Sequence, residues 1–266
     1  MLAARAHRGW PGWKVFVLLP TALFLARACL LAYGHLLHRK LELNHPGFSS
    51  QVVVGRGVSV GEAWTLVVLS AAGVLFCCAL LNPLCLYCAL PALALGCAYY
   101  HIRLKSDFGS LFLGGVFAMA PLGGWMAVTG SVSWEPLALG VINILWISGL
   151  DTLYSVKNYE IEKTLGLRSL PIRWGVQNAL SYSLLMHLLT VMAMAVFGFL
   201  VMFKIAYMVA VMFIAAIVII EHWIAKIRKK HWIGNAFSRL NILVNIVYLL
   251  ASACEIIFPF FNFSVK

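Results

Sequence analysis

The sequence predicts an all-α integral membrane protein: a bundle of about eight transmembrane helices that forms one domain over residues 1–266. The first observation behind this prediction is composition, because 62% of the residues are hydrophobic and only 11% are charged, whereas soluble domains carry about 25% charged residues. The second is that the apolar runs are continuous and long enough to span a bilayer, which takes about 20 residues. Such runs favour helices over a β-barrel, whose strands alternate in polarity. Composition and length therefore exclude a soluble domain, a disulfide scaffold and a disordered chain.

Eight spans are predicted in order along the chain. The dipeptides Asn82-Pro83 and Gly130-Ser131 mark tight turns between neighbouring spans. Three longer polar connections cover residues 37–62, 157–177 and 226–238. The predicted spans are 13–36, 63–81, 83–101, 110–130, 134–157, 178–203, 205–226 and 239–261.

Basic residues predict the orientation. The chain has 20 Lys and Arg against 9 Asp and Glu, and 14 of the 20 fall on one set of connections, which the positive-inside rule places in the cytoplasm. Topology and anionic lipid explain this excess, so no nucleic-acid partner is expected. Arg5, Arg8 and Lys14 lie at or before the first span, on the side that must be translocated. One more helix upstream would resolve this conflict.

Asp151 is the polar residue that most needs a reason, because it lies in an apolar run where a charge costs several kcal/mol unless it is paired, hydrated or bound to a cation. If the helix continues, Asn158 and Glu162 follow at +7 and +11 on the same face. Oxygen ligands in one stripe suit a hard cation such as Mg²⁺. A solvated helix end would explain Glu160 and Glu162, but not Asp151.

The end of the first span carries a second group. Gly34, His38 and Glu42 share one helical face, and Arg27 lies deeper on that face. An intramembrane Arg should point into the bundle or a cavity. It could hold an anionic ligand group, or it could pair with Glu255 or a helix carbonyl, and the sequence leaves both open.

Basic and phenolic groups end the 83–101 span. Tyr99 and Arg103 are four residues apart and Lys105 follows. Cations beside an acidic stripe suit a diphosphate, although the positive-inside pattern also asks for basic residues here. His187 and Glu221 are single polar groups on helices, and we expect interhelical hydrogen bonds from them.

The segment from Asp151 to Pro171 resembles the second acidic motif of the UbiA family of intramembrane aromatic prenyltransferases. That motif reads D-x6-D-x3-D, with Tyr three residues after the first Asp, here Tyr154, and then Gly and Ser-hydrophobic-Pro. Asn158 and Glu162 stand where the family has Asp. The family's first motif, N-x3-D-x3-D, is replaced here by Gly34, His38 and Glu42, so returning Asn and Asp to positions 34 and 38 should raise activity.

The resemblance implies nine helices around a central cavity, and Mg²⁺-dependent transfer of a polyprenyl group from its diphosphate to a small aromatic acceptor, such as 4-hydroxybenzoate or a naphthoate. It further implies ubiquinone or menaquinone biosynthesis in a bacterial inner membrane, with the active-site loops cytoplasmic. The implied catalytic residues are Asp151, Glu162 and Glu42, and the implied metal ligands are Asp151, Asn158, Glu162, Glu42 and His38. The implied substrate-binding residues are Arg27, Tyr99, Arg103, Lys105, Tyr154 and Asn158.

Two other functions stay open at this point. The degenerate first motif allows a non-catalytic relative that binds prenyl lipids. A small transporter could line its path with Arg27 and Asp151, although inverted repeats or broken spans, which would favour it, are not visible.

Overall fold

The computed structural model describes residues 10–44, 59–203, 205–227 and 230–257, with side chains placed over 10–39, 59–203, 205–226 and 239–254. These ranges contain ten helices and no strand. The predicted all-α class is therefore confirmed. The helices are α1 Gly12–Asn44, α2 Val60–Leu81, α3 Pro83–Lys105, α4 Gly109–Thr129, α5 Trp134–Lys157, α6 Tyr159–Thr164, α7 Leu170–Trp174, α8 Val176–Leu200, α9 Ile205–Ile227 and α10 Lys230–Ile257.

Eight of these helices are long and correspond to the eight predicted spans. Seven of them are long and apolar enough to cross a membrane, and α10 carries a shorter apolar segment, Arg239–Cys254. The first helix runs on well past the predicted end at residue 36, so positions 34, 38 and 42 lie on one helix. The short helices α6 and α7 lie within the predicted polar connection 157–177. Most of the segment before the first span lies outside the described residues.

The sequence's turn signals act as predicted. The Asn82 side chain accepts the Cys85 N–H at 2.9 Å and donates to the Met126 carbonyl at 2.8 Å, so one residue caps α3 and joins it to α4. Pro83 follows as the first helical residue, where its missing N–H leaves no bond unmade. Gly130 ends α4 at φ 63°, a left-handed conformation that glycine adopts without strain.

The outward faces of the long helices are apolar. Large side chains such as Phe24, Phe76, Phe199 and Met212 are well exposed. A soluble protein does not expose contiguous apolar surface on this scale, whereas lipid tails cover it. The chain is therefore an integral membrane protein, as its composition predicts.

Helix α5 lies at the centre of the packing, against α4 on one side and α8 and α10 on the other. Its approach to α4 is close because Gly114 has no side chain: an added Cβ would lie 2.6 Å from the Ile144 carbonyl oxygen. Small residues at contacts let membrane helices pack backbone to backbone. On the far side, Trp146 packs with Phe197 and Tyr207 in the main core. This packing fixes the end of α5, which carries Asp151.

Candidate active site

Two buried carboxylates meet where α5 gives way to α6. Asp151 is 7% exposed and Glu162 is 3% exposed. Although α5 ends at Lys157, helical hydrogen bonding continues through Asn158, whose N–H donates to the Tyr154 carbonyl at 3.0 Å and whose carbonyl accepts the Glu162 N–H at 2.9 Å. The Asn158 backbone leaves the helical conformation, at φ −92° and ψ 12°, but these hydrogen bonds on either side of it keep Glu162 close to the face that the sequence predicts.

Arg103 of α3 bridges these carboxylates. Its Nη1 lies 3.5 Å from Asp151 Oδ2 and its Nη2 lies 3.1 Å from Glu162 Oε1. Nη2 also donates to Ser155 Oγ at 2.9 Å. One guanidinium thus faces two carboxylates, and the three groups carry a formal charge of −1. The site can accept further positive charge.

The carboxylates keep oxygens that point to such a charge. Glu162 Oε2 is buried and accepts no hydrogen bond from a described residue, and Asp151 Oδ2 has only the ion pair with Arg103 at 3.5 Å. A buried carboxylate oxygen without a donor is costly unless a cation compensates it. Burial raises the pKa of the Glu162 carboxyl above its usual range, and the Arg103 guanidinium opposes this shift. Oxygen atoms of this kind are ligands for a hard divalent cation.

The loop around α7 is tied to the turn between α3 and α4. Arg173 forms an ion pair with Asp107, and Arg168 donates to the Lys105 carbonyl at 3.4 Å. In that turn Gly109 lies against Arg103, whose Cδ would be 3.1 Å from a Cβ added to the glycine. These contacts hold the loop beside the carboxylates and restrict the Arg103 side chain.

The first helix reaches this region through an aromatic contact. The His38 ring is buried and lies 5.7 Å from the Tyr100 ring, which in turn lies 5.2 Å from the ring of Tyr99. A Cβ added to Gly34 would meet Tyr100 Cε1 at 2.2 Å. Tyr100 therefore fills the space that an Asn side chain at position 34 would need, so our expectation that Gly34→Asn together with His38→Asp raises activity must be revised at position 34.

The other predicted site residues differ in how far they are buried. Tyr154 and Asn158 are partly buried, whereas Arg27 and Lys105 are exposed. Glu42 belongs to α1 by its backbone, but its side chain lies outside the described part of the chain, as does that of Glu255. The structure thus brings Asp151, Glu162 and Arg103 together, and the roles of the other residues stay predictions.

Sequence reasoning missed three contributors. Ser155 follows Asp151 by one helical turn, so helix spacing could have identified it. Asp107 and Arg173 are far apart in sequence, and nothing in their spacing indicates that they pair.

An apolar cavity of about 180 Å³ lies deeper along α5. Asn143, one of its lining residues, precedes Asp151 by eight positions, a rise of about 12 Å along a helix. Amide and phenol groups interrupt an otherwise apolar wall. The lining residues are Pro121, Leu139, Ile142, Asn143, Trp146, Met194, Val244, Asn245 and Tyr248.

Comparison with curated proteins finds bacterial relatives. The 4-hydroxybenzoate octaprenyltransferase of Vibrio parahaemolyticus serotype O3:K6 is 23% identical over 236 residues, which cover 89% of this chain and 83% of the relative. The 4-hydroxybenzoate octaprenyltransferase of Xanthomonas campestris pv. campestris is 28% identical over 233 residues, covering 87% of this chain and 76% of the relative.

Solved structures share the fold. The apo UbiA homolog from Aeropyrum pernix K1 has a TM-score of 0.81 at 25% identity and covers 92% of this chain and 90% of its own. A UbiA homolog from Archaeoglobus fulgidus bound to GPP and Mg²⁺ has a TM-score of 0.68 at 22% identity, with 91% of this chain and 88% of its own covered. The UbiA prenyltransferase family model matches residues 1–244. The chain therefore belongs to the UbiA prenyltransferase family.

Proposed function

We propose that the chain transfers a polyprenyl group from its diphosphate to a ring carbon of a small aromatic acid, in quinone biosynthesis. The observation that carries this proposal is the buried group of Asp151, Glu162 and Arg103, whose carboxylate oxygens are available as ligands for a divalent cation. The names of the curated relatives support 4-hydroxybenzoate as the acceptor. The Archaeoglobus fulgidus homolog bound to GPP and Mg²⁺ supports prenyl diphosphate as the donor.

The donor set fits Mg²⁺. Among the described residues, Glu162 supplies a carboxylate oxygen without a hydrogen-bond donor, Asp151 supplies one that is paired only with Arg103 at 3.5 Å, and Asn158 in the turn between them would supply an amide oxygen. Bound there, Mg²⁺ would neutralise the oxygens of the diphosphate and so favour its departure. His38 and Glu42 on α1 remain the proposed ligands of a second ion.

Arg103 gives the site its response to substrate. Without substrate its guanidinium is held by Asp151 and Glu162, at 3.5 and 3.1 Å. A diphosphate brings several oxygens that a guanidinium binds in bidentate fashion. We infer that Arg103 exchanges carboxylate partners for diphosphate oxygens on binding, with Lys105 and Tyr99 completing this end of the site.

The reaction separates charge in a place from which water is excluded. The allylic C–O bond breaks and its electron pair leaves with the diphosphate. A ring carbon of the acceptor then forms the new C–C bond and gives up its proton, which the released diphosphate can accept. The apolar walls of the helices shield the allylic cation from water, the cavity deeper along α5 offers an apolar surface to the substrates, and Arg27 and Tyr154 would orient the acceptor.

The same orientation rule suggests where the protein works. The basic connections, including those around Arg103 and Arg173, would face the cytoplasm. The bacterial relatives support a bacterial inner membrane as its location, and in this orientation the site would be open to cytoplasmic diphosphate. The lipid bilayer supplies the route for the polyprenyl chain.

The test is transfer of a radiolabelled prenyl chain to 4-hydroxybenzoate or a dihydroxynaphthoate, in membranes from a host without its own transferase. Glu162→Gln and Glu160→Gln form a matched pair, because both change a glutamate of α6 but only Glu162 is buried. We expect Mg²⁺-dependent product from the native chain and Glu160→Gln, and little from Glu162→Gln or Asp151→Asn.

Product that survives Asp151→Asn would place the site elsewhere. No product from the native chain, with prenyl diphosphate still bound, would instead identify a non-catalytic relative.

A further inference from the structure

A second polar cluster lies on the other side of α5. His187 of α8 and Glu221 and His222 of α9 are 0%, 1% and 8% exposed, and one potential ligand atom from each lies within 4.8 Å of the others. Gly149 of α5 faces the cluster, since an added Cβ would lie 2.5 Å from His187 Cδ2. The proposed transfer reaction uses none of these three side chains.

The hydrogen bonds of the two histidines leave one ring nitrogen of each available. The Trp146 carbonyl accepts from His187 Nε2 at 3.3 Å, and the Val218 carbonyl accepts from His222 Nδ1 at 2.9 Å. A carbonyl only accepts, so each bonded nitrogen carries the hydrogen and the other nitrogen of the neutral ring carries a lone pair. Histidines that bind metals are commonly oriented by carbonyls in this way.

Neither lone pair meets a good donor. His187 Nδ1 is buried and has no hydrogen-bond partner among the described residues. His222 Nε2 lies 3.2 Å from Ser183 Oγ, but that hydroxyl donates its hydrogen to the Gly149 carbonyl at 2.8 Å. Both nitrogens are therefore suited to a cation.

Glu221 supplies the charge. Its Oε1 accepts from Asn241 Nδ2 at 3.1 Å, whereas its buried Oε2 accepts no hydrogen bond from a described residue. A carboxylate buried in a membrane protein is costly unless it is paired. Two imidazoles and one carboxylate form a donor set that Zn²⁺ binds, and other first-row metals also accept it.

We propose that His187 Nδ1, Glu221 Oε2 and His222 Nε2 bind a divalent transition-metal ion, Zn²⁺ by their donor set, and that the ion joins α8 to α9 behind α5. Ligands about 2.0–2.1 Å from a tetrahedral ion lie about 3.3 Å apart. The ligand atoms lie within 4.8 Å of one another, so binding would draw them together by up to about 1.5 Å. Asn241 and the two carbonyls then act as the supporting shell. This proposal does not rest on the proposed prenyl transfer.

The test measures metal bound to the full chain in detergent. The protein is purified through a tag without histidine, incubated with ZnSO₄ and dialysed, and its metal is measured by mass spectrometry. We expect about one Zn²⁺ per chain, with X-ray absorption showing nitrogen and oxygen ligands at about 2.0–2.1 Å. Glu221→Gln and His222→Gln should lose most of the bound metal.

Two variants serve as controls. His101→Gln changes an exposed histidine that bonds Tyr33 on another part of the bundle, and should keep the zinc. Asp151→Asn removes a carboxylate of the candidate active site, and should also keep it. Zinc that is lost with Asp151→Asn would belong to the active site and would overturn this proposal without touching the proposed function.

A measurement on the native chain tests the proposal even if the variants fail to fold. Co²⁺ added to the native protein should produce the visible absorption of a four-coordinate site, and Zn²⁺ should displace it. A monodisperse native protein that shows neither zinc nor this absorption would overturn the proposal and would indicate a hydrogen-bonded cluster with a charged His222. Zinc that survives both Glu221→Gln and His222→Gln would overturn it as well.

Discussion

Replacing Arg103 by Gln should destabilise the protein in the absence of Mg²⁺. The change leaves Asp151 and Glu162 buried together without their shared cation. Removing one partner of a buried ion pair costs about 3–5 kcal/mol, and the Arg103 side chain is 21% exposed, which favours the lower end. At about 2–4 °C per kcal/mol for a chain of 150–250 residues, the expected fall in Tm is about 6–12 °C.

Mg²⁺ should then raise the Tm of Arg103→Gln by more than it raises the Tm of the native chain. In Arg103→Gln the ion becomes the remaining counter-charge for the two carboxylates, so it binds more tightly in the absence of substrate. Ligand binding to the folded state raises stability with the ratio of ligand concentration to Kd. Arg103→Lys keeps the charge but loses the two-pronged contact, and should fall between the native chain and Arg103→Gln.

The assay is thermal unfolding in detergent at one scan rate, with and without millimolar MgCl₂. Arg168→Gln is the matched control, because Arg168 is exposed and its side chain donates only to a backbone carbonyl in the contacts described. The reasoning would be refuted if Arg103→Gln had the same Tm as Arg168→Gln. It would also be refuted if Mg²⁺ raised the Tm of Arg103→Gln by no more than that of the native chain.

Three further predictions follow from particular contacts. Gly34→Asn should lower Tm and activity because of the Tyr100 ring, and adding Tyr100→Ala should recover stability; equal melting of the single and double variants would contradict this. Because burial raises the Glu162 pKa, the folded protein holds this proton more tightly than the unfolded chain, so Tm relative to Glu162→Gln should fall as pH rises above the ordinary Glu value of about 4.3. Mg²⁺-dependent binding of prenyl diphosphate should be lost on acidification over the same range, and a flat Tm difference would count against the raised pKa. Gly114→Ala should lower the free energy of unfolding by about 1–3 kcal/mol, because the added methyl group would clash with the Ile144 backbone. Gly115→Ala has open space around the added methyl group and should keep the Tm of the native chain.

Hydropathy was enough to predict most of the fold. Each long helix buries or exposes enough apolar surface to be recognised from composition alone, and the Asn82-Pro83 turn is a local signal that tertiary packing does not override. Asp151 was identifiable for a similar reason, because a lone acid in an apolar run has few physical explanations. Helix periodicity then predicted that Glu162 would share its face.

The contacts between helices were not predictable in this way. Which acids Arg103 would bridge depends on how α3 packs against α5, and no spacing along the chain encodes that packing. A comparison that treats each motif position separately could not predict that Tyr100 fills the space beside Gly34. The cluster of His187 and Glu221 joins residues 34 positions apart, each of which looks unremarkable when taken alone.

The most direct test of the proposed site is a structure determined with Mg²⁺ and an unreactive prenyl thiolodiphosphate. The account predicts Mg²⁺ about 2.1 Å from oxygens of Asp151 and Glu162, with Arg103 turned from these carboxylates onto the diphosphate. A diphosphate and metal bound elsewhere, with Arg103 still paired to Asp151 and Glu162, would contradict it.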